Sequence, residues 1–140
     1  MTSLRERIFA DLTVAIRAQD EAARETLRMV KSELVTHPDA DALEVVQRGV
    51  KTRRESAAQY EAGGREDLAA VERAQIAVLE RYLPKQLDEA AAREAVRAVI
   101  DELGATSKRD LGRVMKTVLE RHKGELDGKL ASRLAAELLS

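Results

Sequence analysis

The chain has no cysteine and no tryptophan, and its aromatic residues are Phe9, Tyr60 and Tyr82 alone. Without cysteine there is no disulfide scaffold, no thiol nucleophile and no cysteine-ligated zinc. Three rings in 140 residues exclude a single-strand binder that stacks successive bases on aromatic side chains. The core must be aliphatic. No stretch approaches the roughly 18 apolar residues of a membrane span. The opening Met1-Thr2-Ser3-Leu4-Arg5-Glu6 carries acid early and has no apolar run of signal-peptide length. These absences lead to an expectation of a cytoplasmic protein that does not associate with membranes.

A dominant charge is missing as well. There are 24 Lys/Arg and 25 Asp/Glu, with 44% hydrophobic and 35% charged residues. The apolar share suffices for a core, and the balance excludes a disordered polyelectrolyte. The length fits one ordinary domain or two small helical units. Catalytic patterns are absent too. Serine never stands in a Gly-x-Ser-x-Gly elbow, and neither a phosphate loop nor a dinucleotide fingerprint occurs. His37 and His122 are far apart without an acidic ligand pattern, so no metal site and no cofactor are expected.

What is present is helix periodicity punctuated by caps. Ser3-x-x-Glu6 forms a capping box, and Leu4, Ile8, Leu12 and Ile16 follow it, predicting a helix over roughly 3–19. Asp20 opens a second, with Ala23, Leu27, Val30 and Leu34 as its stripe, and His37-Pro38 stops it. Asp39 or Asp41 opens a third, with Leu43, Val46, Val50, Ala57 and Tyr60 on its buried side, ended by Gly63-Gly64. A fourth runs from about Arg65 to Tyr82, with Leu68, Val71, Val78 and Leu79 apolar, before Pro84 interrupts the chain. Asp88 caps a fifth, closed by Gly104. Ser107-x-x-Asp110 starts a sixth, with Leu111, Val114, Met115, Val118 and Leu119 on one face and Gly124 at its end. Asp127 caps the seventh, carrying Leu130, Leu134, Leu138 and Leu139. The expected fold is all-α: an N-terminal four-helix unit over 1–83, then a small C-terminal three-helix domain over 88–140.

Charge separates the two parts mildly. Residues 1–83 hold 13 Lys/Arg against 15 Asp/Glu, a net of −2, whereas 104–140 hold 8 against 5, a net of +3. On the sixth helix, projected at about 100° per residue, Lys108, Arg109, Arg113, Lys116 and Lys123 fall opposite the apolar face, interrupted by Glu120. Gly112 lies between the two faces. A bare glycine backbone beside cations, near a helix start, is a place where a phosphate can approach closely. Such contacts position a nucleic-acid backbone without reading its sequence. The plainer account is a solvated basic face, with Gly112 serving close helix packing. The run Lys51-Thr52-Arg53-Arg54 reads the same way, paired with the nearby Glu55 and Glu61.

Several motifs in order carry a resemblance. Tyr82-Leu83-Pro84-Lys85-Gln86-Leu87, the stretch Gly104-Ala105-Thr106-Ser107-Lys108-Arg109-Asp110-Leu111-Gly112-Arg113-Val114-Met115, and Lys123-Gly124-Glu125-Leu126-Asp127-Gly128 resemble signatures of the GatB/YqeY family. Leu27-Arg28-Met29-Val30-Lys31-Ser32, Arg53-Arg54-Glu55-Ser56 and Gly64-Arg65-Glu66-Asp67-Leu68 are similar to its stand-alone YqeY-like members. The resemblance spans nearly the whole chain. It implies kinship with the B subunit of the glutamine-dependent aminoacyl-transfer-RNA amidotransferase, a carbon–nitrogen ligase with glutamine as amido donor. The tail domain of that subunit contacts transfer RNA, and its chemistry lies in a domain this chain lacks.

Three readings follow. The first is an accessory protein that binds transfer RNA through Lys108, Arg109, Gly112, Arg113, Lys116, Lys123 and Lys129. The second is a protein-interaction module whose N-terminal helices dock on an amidotransferase or another protein. The third, an enzyme acting alone on glutamine or aminoacyl-transfer RNA, ranks last because no nucleophile or nucleotide loop is visible.

Overall fold

A computed structural model describes residues 2–140 and is all-helical, with seven α-helices and no strand among those residues. The helices are α1 (Leu4–Ala18), α2 (Glu21–Thr36), α3 (Ala42–Ala62), α4 (Glu66–Glu80), α5 (Glu89–Leu103), α6 (Leu111–Arg121) and α7 (Gly128–Leu139). A 3-10 turn, Lys108–Asp110, precedes α6. Contacts divide the chain into a first unit ending at Leu83 and a second spanning Pro84–Ser140.

Five helix starts carry side-chain caps that stand in for missing backbone acceptors. Ser3 accepts from the Glu6 amide, Asp20 from Ala23, Asp41 from Leu43, Asp88 from Ala91 and Asp127 from Leu130. Of the two residues offered for the third helix, Asp41 is therefore the cap. Three helices end in one geometry. After α3, Gly64 takes φ 75°, with the Arg65 amide bonded to Tyr60 O and the Gly64 amide to Glu61 O. Gly104 (φ 63°) repeats this after α5. After α1 the left-handed position falls on Gln19 (φ 55°), which has a Cβ to accommodate there.

In the first unit, α1 packs on α2 and α3 on α4, with α2 also against α4. The core gathers Ile8, Leu12, Leu27, Leu34, Val46, Val50 and Leu79. Gly49 makes room on α3 for Leu79 of α4: a Cβ there would lie 3.0 Å from Leu79 Cδ1. Tyr82 closes the unit. Its hydroxyl donates to Asp11 Oδ2 at 2.6 Å, and the Arg7 guanidinium sits over its ring at 4.7 Å.

In the second unit, α5, α6 and α7 pack pairwise around Val96, Val99, Val114, Val118 and Leu134. Truncating a fully buried leucine such as Leu134 to alanine costs about 2–5 kcal/mol. The chain before α5 is stitched to the α6–α7 turn. Gln86 Nε2 donates to Gly124 O at 2.5 Å, and the Leu87 amide donates to Glu125 O at 2.8 Å. Gly124 is buried with φ 81°, a conformation that favours glycine.

Three apolar assignments need correction. Ile16 is 47% exposed, Val71 53% and Leu119 37%. A strict four-residue repeat drifts about 40° per step around a helix, so Ile16 has rotated away from Ile8, and Ala15 takes its place in the core. Val71 stands about 140° from Ile76, and Leu119 about 100° from Val118, by the same geometry. The sixth helix also starts later than its serine suggested. Ser107 caps the 3-10 turn, and α6 itself begins at Leu111.

Candidate nucleic-acid interface

The turn and the first half of α6 bring Lys108, Arg109, Gly112, Arg113 and Lys116 together through spacings of three and four residues, which share one side of a helix. All five are exposed. Val114 and Val118, fully buried against α5 and α7, fix the opposite side inward. The position of Gly112 removes the close-packing account. A Cβ built on it meets nothing within 4 Å, so the gap faces open space.

Ser107 and Asp110 build the turn. The Ser107 hydroxyl accepts from the Arg109 amide at 3.3 Å, and Asp110 Oδ2 accepts from the Thr106 amide at 3.1 Å. Asp110 Oδ1 accepts from Arg113 Nη2 at 3.1 Å. The Thr106 amide, followed by the Arg113 charge, holds the Asp110 carboxyl below its ordinary range. Among the described residues, no ion pair holds Lys108, Arg109 or Lys116. Arg113 is paired only within its own turn and stays exposed. The site thus presents several cations with the Asp110 carboxylate set among them and Glu120 one turn beyond Lys116. Asp110's part in this electrostatics was hidden in the sequence, where it reads as a capping residue.

Lys123 and Lys129 are exposed but lie elsewhere on the second unit. Lys123 follows the C-terminal end of α6, about 15 Å along the axis from its start, and Lys129 is in the first turn of α7. Arg121 is exposed but paired with Glu102, which it grips through two bonds, one at 2.6 Å. That pairing raises the Arg121 pKa and lowers that of Glu102.

His122 Nδ1 lies 3.2 Å from Glu125 Oε1, and His37 ends α2 on the surface. No group of three potential metal ligands occurs among the described residues. Within the run at 51–54, Lys51 and Arg54 are exposed. Arg53 bonds Gln75 Oε1 at 3.0 Å and Gly49 O at 3.1 Å, Arg54 reaches Glu80 at 3.8 Å, and Glu61 pairs with Arg73. No helix among the described residues is long and apolar enough to cross a membrane.

Comparison with known proteins agrees with the motif series. The chain is 27% identical, over 144 aligned residues, to the altered inheritance of mitochondria protein 41, mitochondrial, of Pyrenophora tritici-repentis. That alignment covers 95% of this chain and 79% of the relative. The family model described as Yqey-like protein matches residues 5–139. From end to end of its helical fold, the chain therefore belongs to the YqeY-like protein family.

Proposed function

We propose that the protein is an accessory factor related to transfer-RNA-dependent amidotransferase, and that it grips transfer RNA through the second unit. Lys108, Arg109, Arg113 and Lys116 neutralise backbone phosphates, while Gly112 lets one phosphate approach the helix. The single observation that carries this reading is the open space over Gly112 beside exposed cations. In this reading the two compact units are distinct domains, four helices followed by three. The protein works in the cytoplasm and requires no cofactor.

Titration of a fluorescent transfer RNA across a salt series tests the proposal. About four phosphate contacts give a slope of log affinity against log salt on the order of −3 to −4. Arg113→Glu should abolish binding at low salt. Immeasurable affinity at low salt, or an unchanged affinity in that variant, refutes the reading.

A second reading, a protein-interaction module in the first unit, is favoured by where large apolar side chains reach solvent. Val14, Ile16, Met29, Val35 and Val71 are all more than 45% exposed. Recovery of the same protein partner before and after RNase treatment supports this module, and recovery of RNA alone counts against it.

A further inference from the structure

A groove of about 340 Å³ runs between α2 and α4 of the first unit. Ala22, Val71 and Ala74 form its apolar floor, Gln75 lines it further along α4, and Glu21 and Glu25 stand along its α2 side. Val71 is 53% exposed. The surface continues past Gln75, whose Oε1 accepts from Arg53 Nε at 3.0 Å. Arg53 Nη2 in turn lies 3.6 Å from the sulfur of Met29, itself 58% exposed. Arg53 also donates to Gly49 O at 3.1 Å, and so is tied to α3 and α4 beside Met29. Methionine is a common adaptable element of surfaces that receive a helix.

The charges indicate the occupant. Glu21 has no ion-pair partner among the described residues, and Glu25 meets only Arg24, at 3.6 Å. The two carboxylates are one helical turn apart, about 6 Å in rise. That spacing matches two basic side chains one turn apart on a helix lying alongside.

We infer that this groove docks an amphipathic helix of another protein, one presenting aliphatic side chains to Val71 and Met29 and a Lys/Arg pair, one turn apart, to Glu21 and Glu25. The inference rests on the second reading above, that the first unit is an interaction module. It is independent of RNA binding.

Selection of displayed 16-residue helical peptides against the full-length protein tests it. The expected consensus is aliphatic with two basic residues three or four apart. A synthetic peptide of that consensus should bind the wild type. Its affinity should fall on the order of tenfold with Val71→Glu and several-fold with Glu21→Gln/Glu25→Gln. Val35→Glu, on the opposite edge of α2, should leave it unchanged. Circular dichroism confirms that each variant remains folded. An acidic consensus, or a peptide indifferent to Val71→Glu, overturns the groove. If binding is instead lost with Val35→Glu, the module reading survives and the groove does not. With no enrichment, both fall. Self-association of the free protein that Val71→Glu abolishes would assign the groove to a second copy and overturn the inference.

Discussion

The phenolic hydroxyl of Tyr82 is hydrogen-bonded to the carboxylate of Asp11 at 2.6 Å, joining the end of the first unit to its first helix across 71 residues. Hydrogen bonds to charged acceptors contribute more than neutral ones, and this one is part-buried. Tyr82→Phe should lower unfolding free energy by about 1–2 kcal/mol, read as a lower urea midpoint with unchanged slope. An unaltered midpoint would show that the bond contributes nothing net.

The same residue gives an alkaline dependence. Burial, reinforced by Asp11, pushes the Tyr82 hydroxyl above its ordinary pKa of 10.0. The folded state thus binds this proton more tightly than the unfolded chain. The resulting stabilisation is complete below about pH 10 and is lost as pH rises through the folded value. The gap in stability between wild type and Tyr82→Phe should therefore narrow above pH 10. A gap that stays constant into that range contradicts the assignment.

Gln19 occupies a left-handed position, φ 55°, that Gly64 and Gly104 fill at the ends of α3 and α5. A Cβ in that conformation costs about 1–2 kcal/mol, partly offset by the greater chain entropy glycine loses on folding. Gln19→Gly should stabilise the protein by about 0.5–1 kcal/mol. Thermal denaturation would register this as a higher midpoint, and a decrease would show that the glutamine side chain has a role beyond its backbone.

Gly112 gives a prediction with opposite signs in two assays. Alanine is preferred to glycine inside a helix by about 1 kcal/mol, and open space awaits its methyl group. Gly112→Ala should raise stability by about that amount while lowering transfer-RNA affinity, because the methyl group holds the phosphate off. If both quantities rise, the glycine is a helix defect without a role in binding.

Asp110→Asn should strengthen RNA binding, since it removes a carboxylate from among the cations and releases Arg113 from its pair. Its effect on stability should depend on pH. The Asp110 pKa is lowered in the fold, so its contribution is present above the ordinary value and lost as pH falls through the folded one. Wild type and variant should therefore differ in stability at pH 6 and converge below about pH 4. Persistence of the difference in acid would point to a cause other than the charge.

Helices and caps were legible in the sequence because they depend on neighbours. Asp20, Asp88 and Asp127 act within three residues of themselves, and their short polar side chains have few other uses beside an apolar run. The apolar edges were harder. Ile16, Val71 and Leu119 lie far enough around their helices that small angular differences decide burial, and those depend on the neighbouring helix. Gly49 carried no local sign that Leu79 would come close to it. At the candidate interface, spacing alone gave the exposed face that carries Lys108, Arg109, Arg113 and Lys116. That Arg121 would be claimed by Glu102, 19 residues earlier, could come only from the packing of α5 and α6.

Gln86 has a practical corollary for anyone trimming the protein. Its side-chain amide and the next backbone amide fasten the leader of α5 to the turn at 124–125. A fragment beginning at Asp88 would discard that clasp and leave two carbonyls of the turn to water, whereas one beginning at Pro84 would keep it. The four residues ahead of the Asp88 cap work as a collar on the second unit, and excising them should loosen the loop that carries Lys123.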